Sequence, residues 1–304
     1  MYITKKKIRK LLKCDIFELI KESRKIYLEK CRNKFEICSI VNAKSGRCSE
    51  DCKFCAQSGH YKTAAQSFDL ISENEVLKCA EIAEKNKAER FGIVTSGRGL
   101  NDKQILKISK MLEKINIEKN IKPCASLGEL TEKQLLILKE SGLTRFYHNI
   151  ETSEKFYSNI VTTHSFKDRI AMIERLKKIG FEVCSGGIIG LGESIEDRIE
   201  MALTLKKLEV DAVLINILML IKGTPLENVK RISVFEIIKT IALFRIILED
   251  KMIKLAAGRE TLGDFQGLSF LAGANGFIIG GYLTIAGRSV EDDWKLLENL
   301  TKFF

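Results

Sequence analysis

A chain of 304 residues with 45% hydrophobic residues can bury a large core, as one α/β barrel or as two smaller domains, and its two prolines exclude a Pro-rich linker. The formal charge of +10 does not mark a nucleic-acid binder, because the lysines are spread along most helical segments as on a solvated surface. Nine cysteines, an odd number, behind a charged N-terminus with no secretory signal point to a reducing, cytoplasmic setting in which thiols serve metals.

In chain order, residues 4–31 read as a helix or helix pair, with Ile8, Leu11, Leu12, Ile16, Leu19 and Ile20 at helical spacing. This segment is assigned to an N-terminal helical extension, 1–34, ahead of a barrel domain, 35–304. Phe35 to Val41 reads as a short buried strand that runs into a cysteine-rich loop. Helices then alternate with strands, and most helix starts carry a capping box: Ser72/Glu75, Asn101/Gln104, Thr131/Gln134, Ser165/Asp168, Ser194/Asp197 and Ser233/Glu236. The intervening strands are expected at Arg90 to Thr95, around Pro123 to Leu127, Arg145 to Ile150, Phe181 to Ser185, Ala212 to Ile221, Ile253 to Ala257 and Phe277 to Leu283. A C-terminal helix containing Trp294 follows.

About eight such units predict an α/β fold of the TIM-type (β/α)8 kind. An open Rossmann sheet fits less well, since no G-x-G-x-x-G joins the first strand to a helix. Phe265 to Gly287 is uncharged and long enough to cross a bilayer, but its glycines, Gln266 and Asn275 predict a helix, a turn and a buried strand, and so no membrane span.

The chemistry concentrates in Cys48-Ser-Glu-Asp-Cys52-Lys-Phe-Cys55. Three thiolates on one loop can bind three irons of a cubane and leave the fourth open. Zinc wants four protein ligands, and no second C-x-x-C or C-x-x-H lies nearby. With the aromatic Phe54, the spacing is that of radical S-adenosylmethionine (SAM) enzymes, in which Cys48, Cys52 and Cys55 hold a catalytic 4Fe-4S cluster. Gly186-Gly-Ile-Ile-Gly-Leu-Gly-Glu193 resembles the segment of those enzymes that contacts adenine, which implicates Ile188 and Gly190.

From about residue 35 to residue 290 the chain resembles the biotin synthase family. The resemblance is carried by the triad with Ala56-Gln57-Ser58, Tyr61-Lys-Thr63, His148-Asn-Ile-Glu-Thr-Ser153, Phe156-Tyr157, Ile160-Val-Thr-Thr163 and Val183 to Glu193. Lys222-Gly-Thr-Pro-Leu226, Ala257-Gly-Arg-Glu260 and Ala272-Gly-Ala-Asn275 complete it. It implies a sulfurtransferase in which a 5'-deoxyadenosyl radical takes hydrogen from two carbons of dethiobiotin, and sulfur from an auxiliary iron-sulfur cluster bridges them. It further implies Phe54, Thr95, Ser96, Gly97, Glu151 and Arg169 near SAM, and Asn149 and Asn216 near the substrate. Glu151 stands where many members have Asp. An electron donor such as flavodoxin or ferredoxin and a homodimer are implied as well.

The auxiliary centre is where the chain departs from that pattern. Family members hold a 2Fe-2S cluster on three cysteines and an arginine. Cys124, Cys184 and Arg259 are assigned here to three of those positions, but the second-strand position is Gly92, which has no side-chain ligand. Cys38 on the neighbouring first strand is the expected replacement, in a cluster of 2Fe-2S or variant type; the alternative is that the cluster is absent. Two other readings stay open: a related radical SAM barrel of the hydrogenase-maturation or methylornithine-forming kind, and an iron-sulfur or zinc protein without catalysis. Cys14, Cys31 and Cys79 are expected as packed thiols, and His60 and His164 as loop residues.

Overall fold

Eight short apolar strands, each too small to bury both faces alone, close on one another in sequence order as a parallel barrel. The structure, a computed structural model, describes residues 5–32, 34–284 and 287–301. The strands are β1 (Glu36–Lys44), β2 (Arg90–Thr95), β3 (Lys122–Ser126), β4 (Arg145–Tyr147), β5 (Glu182–Ile189), β6 (Ala212–Ile217), β7 (Met252–Leu255) and β8 (Gly276–Ile278). Two helices precede them, α1 (Lys5–Leu12) and α2 (Ile16–Lys30). The connections carry α3 (Glu73–Lys85), α4 (Asp102–Glu118), α5 (Glu132–Glu140), the single turn α6 (Glu154–Tyr157), α7 (Phe166–Ile179), α8 (Ile195–Lys207) and α9 (Val234–Leu248). A 3-10 turn (Arg259–Phe265), α10 (Gln266–Leu271) and α11 (Val290–Thr301) complete the chain.

All six expected capping boxes form, at α3, α4, α5, α7, α8 and α9. Each satisfies two otherwise orphaned N–H groups, a device worth about 1 kcal/mol per cap. Most strands fall within a few residues of expectation. The apolar run after β6 leaves the sheet at Ile217 rather than Ile221, and β8 stops at Ile278, two residues before Gly280 takes a positive φ of 82°. β5 extends to Ile189 because Gly186 and Gly187 permit close approach. A Cβ on Gly187 would lie 2.1 Å from the Glu151 carbonyl oxygen.

Eleven of the fifteen residues of α9 are buried, because α2 packs over its outward face. Arg245 of α9, fully buried, donates to the Gly273 carbonyl at 2.8 Å, the Asn275 Oδ1 at 2.9 Å and the Cys31 Sγ at 3.0 Å. Cys31 is thus a packed thiol that ties the N-terminal helices to the barrel wall. The stretch expected to hold a helix, a turn and a strand rather than a membrane span contains α10 and β8; positions 285 and 286 lie outside the described residues. Among the described residues no helix is long and apolar enough to cross a membrane.

The apolar residues separate into two cores. The larger fills the layer between strands and helices. The smaller lies inside the barrel and contains Cys38, Cys124, Cys184, Tyr147, Leu214, Ile278 and Tyr282.

Candidate active site

The loop after β1 is held by its own backbone. Cys48 N–H donates to the Gln57 carbonyl at 3.0 Å, Gly59 N–H to the Cys48 carbonyl at 2.7 Å and Cys55 N–H to the Cys52 carbonyl at 2.9 Å. Asp51 then fastens it to the loop before α7. Its carboxylate accepts from Thr162 N–H at 2.9 Å, Thr163 N–H at 3.2 Å, the Thr163 hydroxyl at 3.1 Å and the Thr162 hydroxyl. Burial pushes the Asp51 carboxyl up, but these donations outweigh it and hold the group well below the usual carboxylate range.

Two thiols of this loop, Cys52 and Cys55, are strongly perturbed. Burial pushes the Cys52 thiol far above its ordinary value, with the neighbouring Cys55 adding to the shift. Cys55 is pushed up to about 11, by burial first and then by Cys48 and Glu151. Clustered thiols of this kind release their protons when iron replaces them. Among the described residues no three His, Cys, Asp or Glu side chains converge on the position of a single ion, and thiolates that bind separate irons have no need to.

At the C-terminal ends of the strands lies a cavity of about 260 Å³. Thr95, Gly97, Asn149, Glu151 and Arg169 all line it. Its walls carry unmet polar atoms: Thr95 Oγ1 and Asn149 Oδ1 are buried without a partner. Such atoms in a cavity wall fit a polar ligand. Glu151 sits at a positive φ of 66°, and its carboxyl is pushed up by burial against the pull of Arg169. Arg169 also donates to His148 Nε2 at 3.4 Å and His164 Nε2 at 3.1 Å. Arginine only donates, so both Nε2 atoms accept, and His164 Nδ1–H donates to the Tyr157 hydroxyl at 2.8 Å. Burial and Arg169 both lower the two histidines, which are therefore neutral at pH 7.

A second cavity of about 190 Å³ is lined by Phe54, Cys55, Ala56 and Ile188, with Asn216 shared between the two. Asn216 spans two strand ends: its Nδ2 donates to the Gly187 carbonyl at 3.2 Å and its Oδ1 accepts from Ala257 N–H at 3.3 Å. Two further residues singled out in the sequence have contacts of their own. The Ser96 hydroxyl donates to the Gly46 carbonyl at 2.8 Å. Gly190, at a φ of 92°, makes a turn whose N–H donates to Glu193 Oε1 at 2.8 Å. His164 lies in a loop, as expected, but is buried with its Nε2 3.8 Å from Cys52 Sγ. The only signal for it was its place directly after the matching run Ile160 to Thr163.

Deeper in the barrel, Cys38, Cys124 and Cys184 are buried in the same interior core. Burial raises the Cys124 thiol and pushes Cys184 up to about 12, and each of these two also feels Cys38. Gly92 faces this interior, where a Cβ would lie 3.1 Å from Ile40 Cγ2 and 3.7 Å from Tyr147 Cε2. The space of a missing second-strand side chain is therefore bordered by Ile40 and Tyr147.

The Arg259 guanidinium donates to the Tyr282 hydroxyl at 2.9 Å, Gln266 Oε1 at 2.8 Å and Asp293. Two cations stand at the interior thiols: Lys254 of β7, with Nζ 3.2 Å from Cys38 Sγ, and Arg90 of β2, with Nη1 3.8 Å from Cys124 Sγ. Lys254 is fully buried and pairs with Glu36, which also binds Arg90 at 2.8 Å and Arg145.

Residues 43–205 match the Radical SAM superfamily, and residues 215–301 match the Biotin and Thiamin Synthesis associated domain. The chain is 52% identical over 295 residues to the biotin synthase of Thermotoga petrophila, covering 97% of this chain and 98% of that protein. It is 46% identical over 299 residues to that of Clostridium botulinum, covering 98% and 94%. Among solved structures, a methylornithine synthase superposes with a TM-score of 0.85 at 18% identity, covering 99% of this chain and 94% of that one. The FeFe-hydrogenase maturase of Carboxydothermus hydrogenoformans gives 0.78 at 19%, covering 93% and 71%. These two likenesses concern the fold alone.

Proposed function

The chain belongs to the biotin synthase family of radical SAM enzymes, and from that membership we propose that it acts as a sulfurtransferase converting dethiobiotin to biotin. The observation that carries this reading is the stacking of two thiol sets in one barrel. Cys48, Cys52 and Cys55 stand on the loop after β1, where Cys55 lines the second cavity, and Cys38, Cys124 and Cys184 lie in the interior core.

The donor set on this loop fits a 4Fe-4S cluster with SAM, and the interior thiols fit an auxiliary iron-sulfur cluster. When bound, the first cluster and SAM supply hydrogen abstraction from unactivated carbons, and the second supplies sulfur. The chain's own residues do the rest. Asp51 and its threonines fix the loop. Arg169 offers a guanidinium for the SAM carboxylate, and Thr95 and Asn149 offer unpaired oxygens to polar groups. Phe54, Ala56 and Ile188 form an apolar wall for adenine, and Glu151 faces the ribose. Asn216, between the two cavities, orients dethiobiotin. The apolar enclosure keeps water from reactive species.

In this reading the protein works in the cytoplasm as a homodimer, takes electrons from a flavodoxin or ferredoxin, and divides at residue 35 into helical extension and barrel. The test is anaerobic turnover with SAM and dethiobiotin, measuring 5'-deoxyadenosine and biotin separately. Wild type makes both, Cys52→Ala makes neither, and Cys38→Ala makes deoxyadenosine without biotin. Normal biotin formation by Cys38→Ala would refute the role of the first-strand thiol.

A further inference from the structure

The three interior thiols are not equivalent. Cys38 Sγ receives Lys254 Nζ at 3.2 Å and the Tyr147 hydroxyl at 3.5 Å, and lies 3.7 Å from Glu36 Oε1, the carboxylate that pairs with Lys254. Cys124 Sγ has Arg90 Nη1 at 3.8 Å and the Lys122 carbonyl at 3.9 Å. Both donors to Cys38 are built in. Lys254 is fully buried, held by Glu36, and lies 5.9 Å from the centre of the Tyr147 ring. Tyr147 borders the space that Gly92 leaves open and also lines the larger cavity, so one side chain runs from the thiols to the substrate space.

A buried ammonium needs a counter-charge, and Glu36 alone already serves Lys254, Arg90 and Arg145. Glu182 also binds both arginines, at 2.8 and 2.9 Å, but its side chain is 44% exposed. Thiolates in place of thiols would supply the missing negative charge.

We propose that Lys254 and Tyr147 are positioning residues of the auxiliary centre, donating together to the Cys38 sulfur and so raising the reduction potential of a cluster bound there. The inference rests on the reading that Cys38, Cys124 and Cys184 hold such a cluster. The physical reason is general. Hydrogen bonds and positive charge at a ligating sulfur stabilise the more negative, reduced state. This pair of donors converges on the strand that replaces Gly92, so the variant ligand arrives with its own tuning groups.

The test isolates the auxiliary centre in the full chain carrying Cys48→Ala, Cys52→Ala and Cys55→Ala, reconstituted anaerobically with iron and sulfide. Redox titration is followed by electron paramagnetic resonance. In that background Lys254→Met should shift the reduction equilibrium about tenfold toward the oxidised form, about 59 mV for a one-electron couple. Tyr147→Phe should shift it less in the same direction, and Lys254→Arg should restore it.

If Lys254→Met retains no iron while Lys254→Arg does, the cationic contact is supported and Tyr147→Phe supplies the potential. A cluster of unchanged potential in both Lys254→Met and Tyr147→Phe would overturn the inference. Absence of any cluster from the triple-cysteine background, with native circular dichroism, would instead overturn the reading on which it rests.

Discussion

Replacing Glu36 by Gln removes the carboxylate on which three cations depend, Lys254, Arg90 and Arg145. Burial raises this carboxyl, but the cations overcome it and bring it from an ordinary value of 4.5 to about 2. At about 1.4 kcal/mol per tenfold change in proton affinity, the ionised group contributes about 3 kcal/mol at pH 7. Loss of one partner of a buried pair, about 3–5 kcal/mol, gives the same magnitude. The sign follows from the depressed value. The contribution is complete above the unfolded carboxyl's value and is lost as pH falls from there through the folded one. Equilibrium urea denaturation of the metal-free chain should show Glu36→Gln destabilised by about 3 kcal/mol at pH 7, with the gap more than halved near pH 3. A gap below about 1 kcal/mol at pH 7, or one that does not shrink with acid, would refute the charge network as the foundation of the barrel interior.

Arg169→Met should weaken SAM binding to the reconstituted chain at least about tenfold, in keeping with truncation of a buried charge partner; unchanged equilibrium dialysis would remove the residue from the binding site. Gly187→Ala places a Cβ 2.1 Å from a backbone oxygen and 2.6 Å from Met201 Sδ, so it should lower stability by about 1–3 kcal/mol, read from thermal unfolding. A variant as stable as wild type would contradict the close approach of Glu151 to β5. Asp51→Ala releases the cluster loop from Thr162 and Thr163, and iron should then leave faster into a chelator. Because the Asp51 carboxyl is held below its ordinary 3.8, this clamp in the unmutated chain should persist as pH falls through that value. Equal iron loss from variant and wild type at pH 7 would discount the clamp.

The barrel was legible because its signals are local. Six capping boxes punctuate short apolar runs, and that alternation alone implies eight parallel units. The thiol loop was legible from spacing, since three ligands within eight residues have little freedom to serve anything else. What escaped depends on which way a side chain faces. Arg259 and Lys254 lie five positions apart around β7, and only the three-dimensional partners show that one donates to Asp293 while the other meets Cys38. His164 escaped for a similar reason, because nothing local tells an exposed loop histidine from one folded against Cys52. Tyr147 falls inside the strand expected at Arg145 to Ile150, and its tie to Gly92 and Cys38 is a matter of cross-barrel contact.

The central claim, two separate cluster sites in one barrel, is tested most directly by Mössbauer spectroscopy. Wild type and the Cys48→Ala, Cys52→Ala, Cys55→Ala variant are reconstituted anaerobically, with iron and sulfide counted per chain. The account predicts that the triple variant loses the spectrum of the loop cluster and keeps that of a second cluster, which disappears when Cys38, Cys124 and Cys184 are also replaced. A folded triple variant with no iron-sulfur spectrum at all would contradict it and direct attention to radical SAM reactions that need a single cluster.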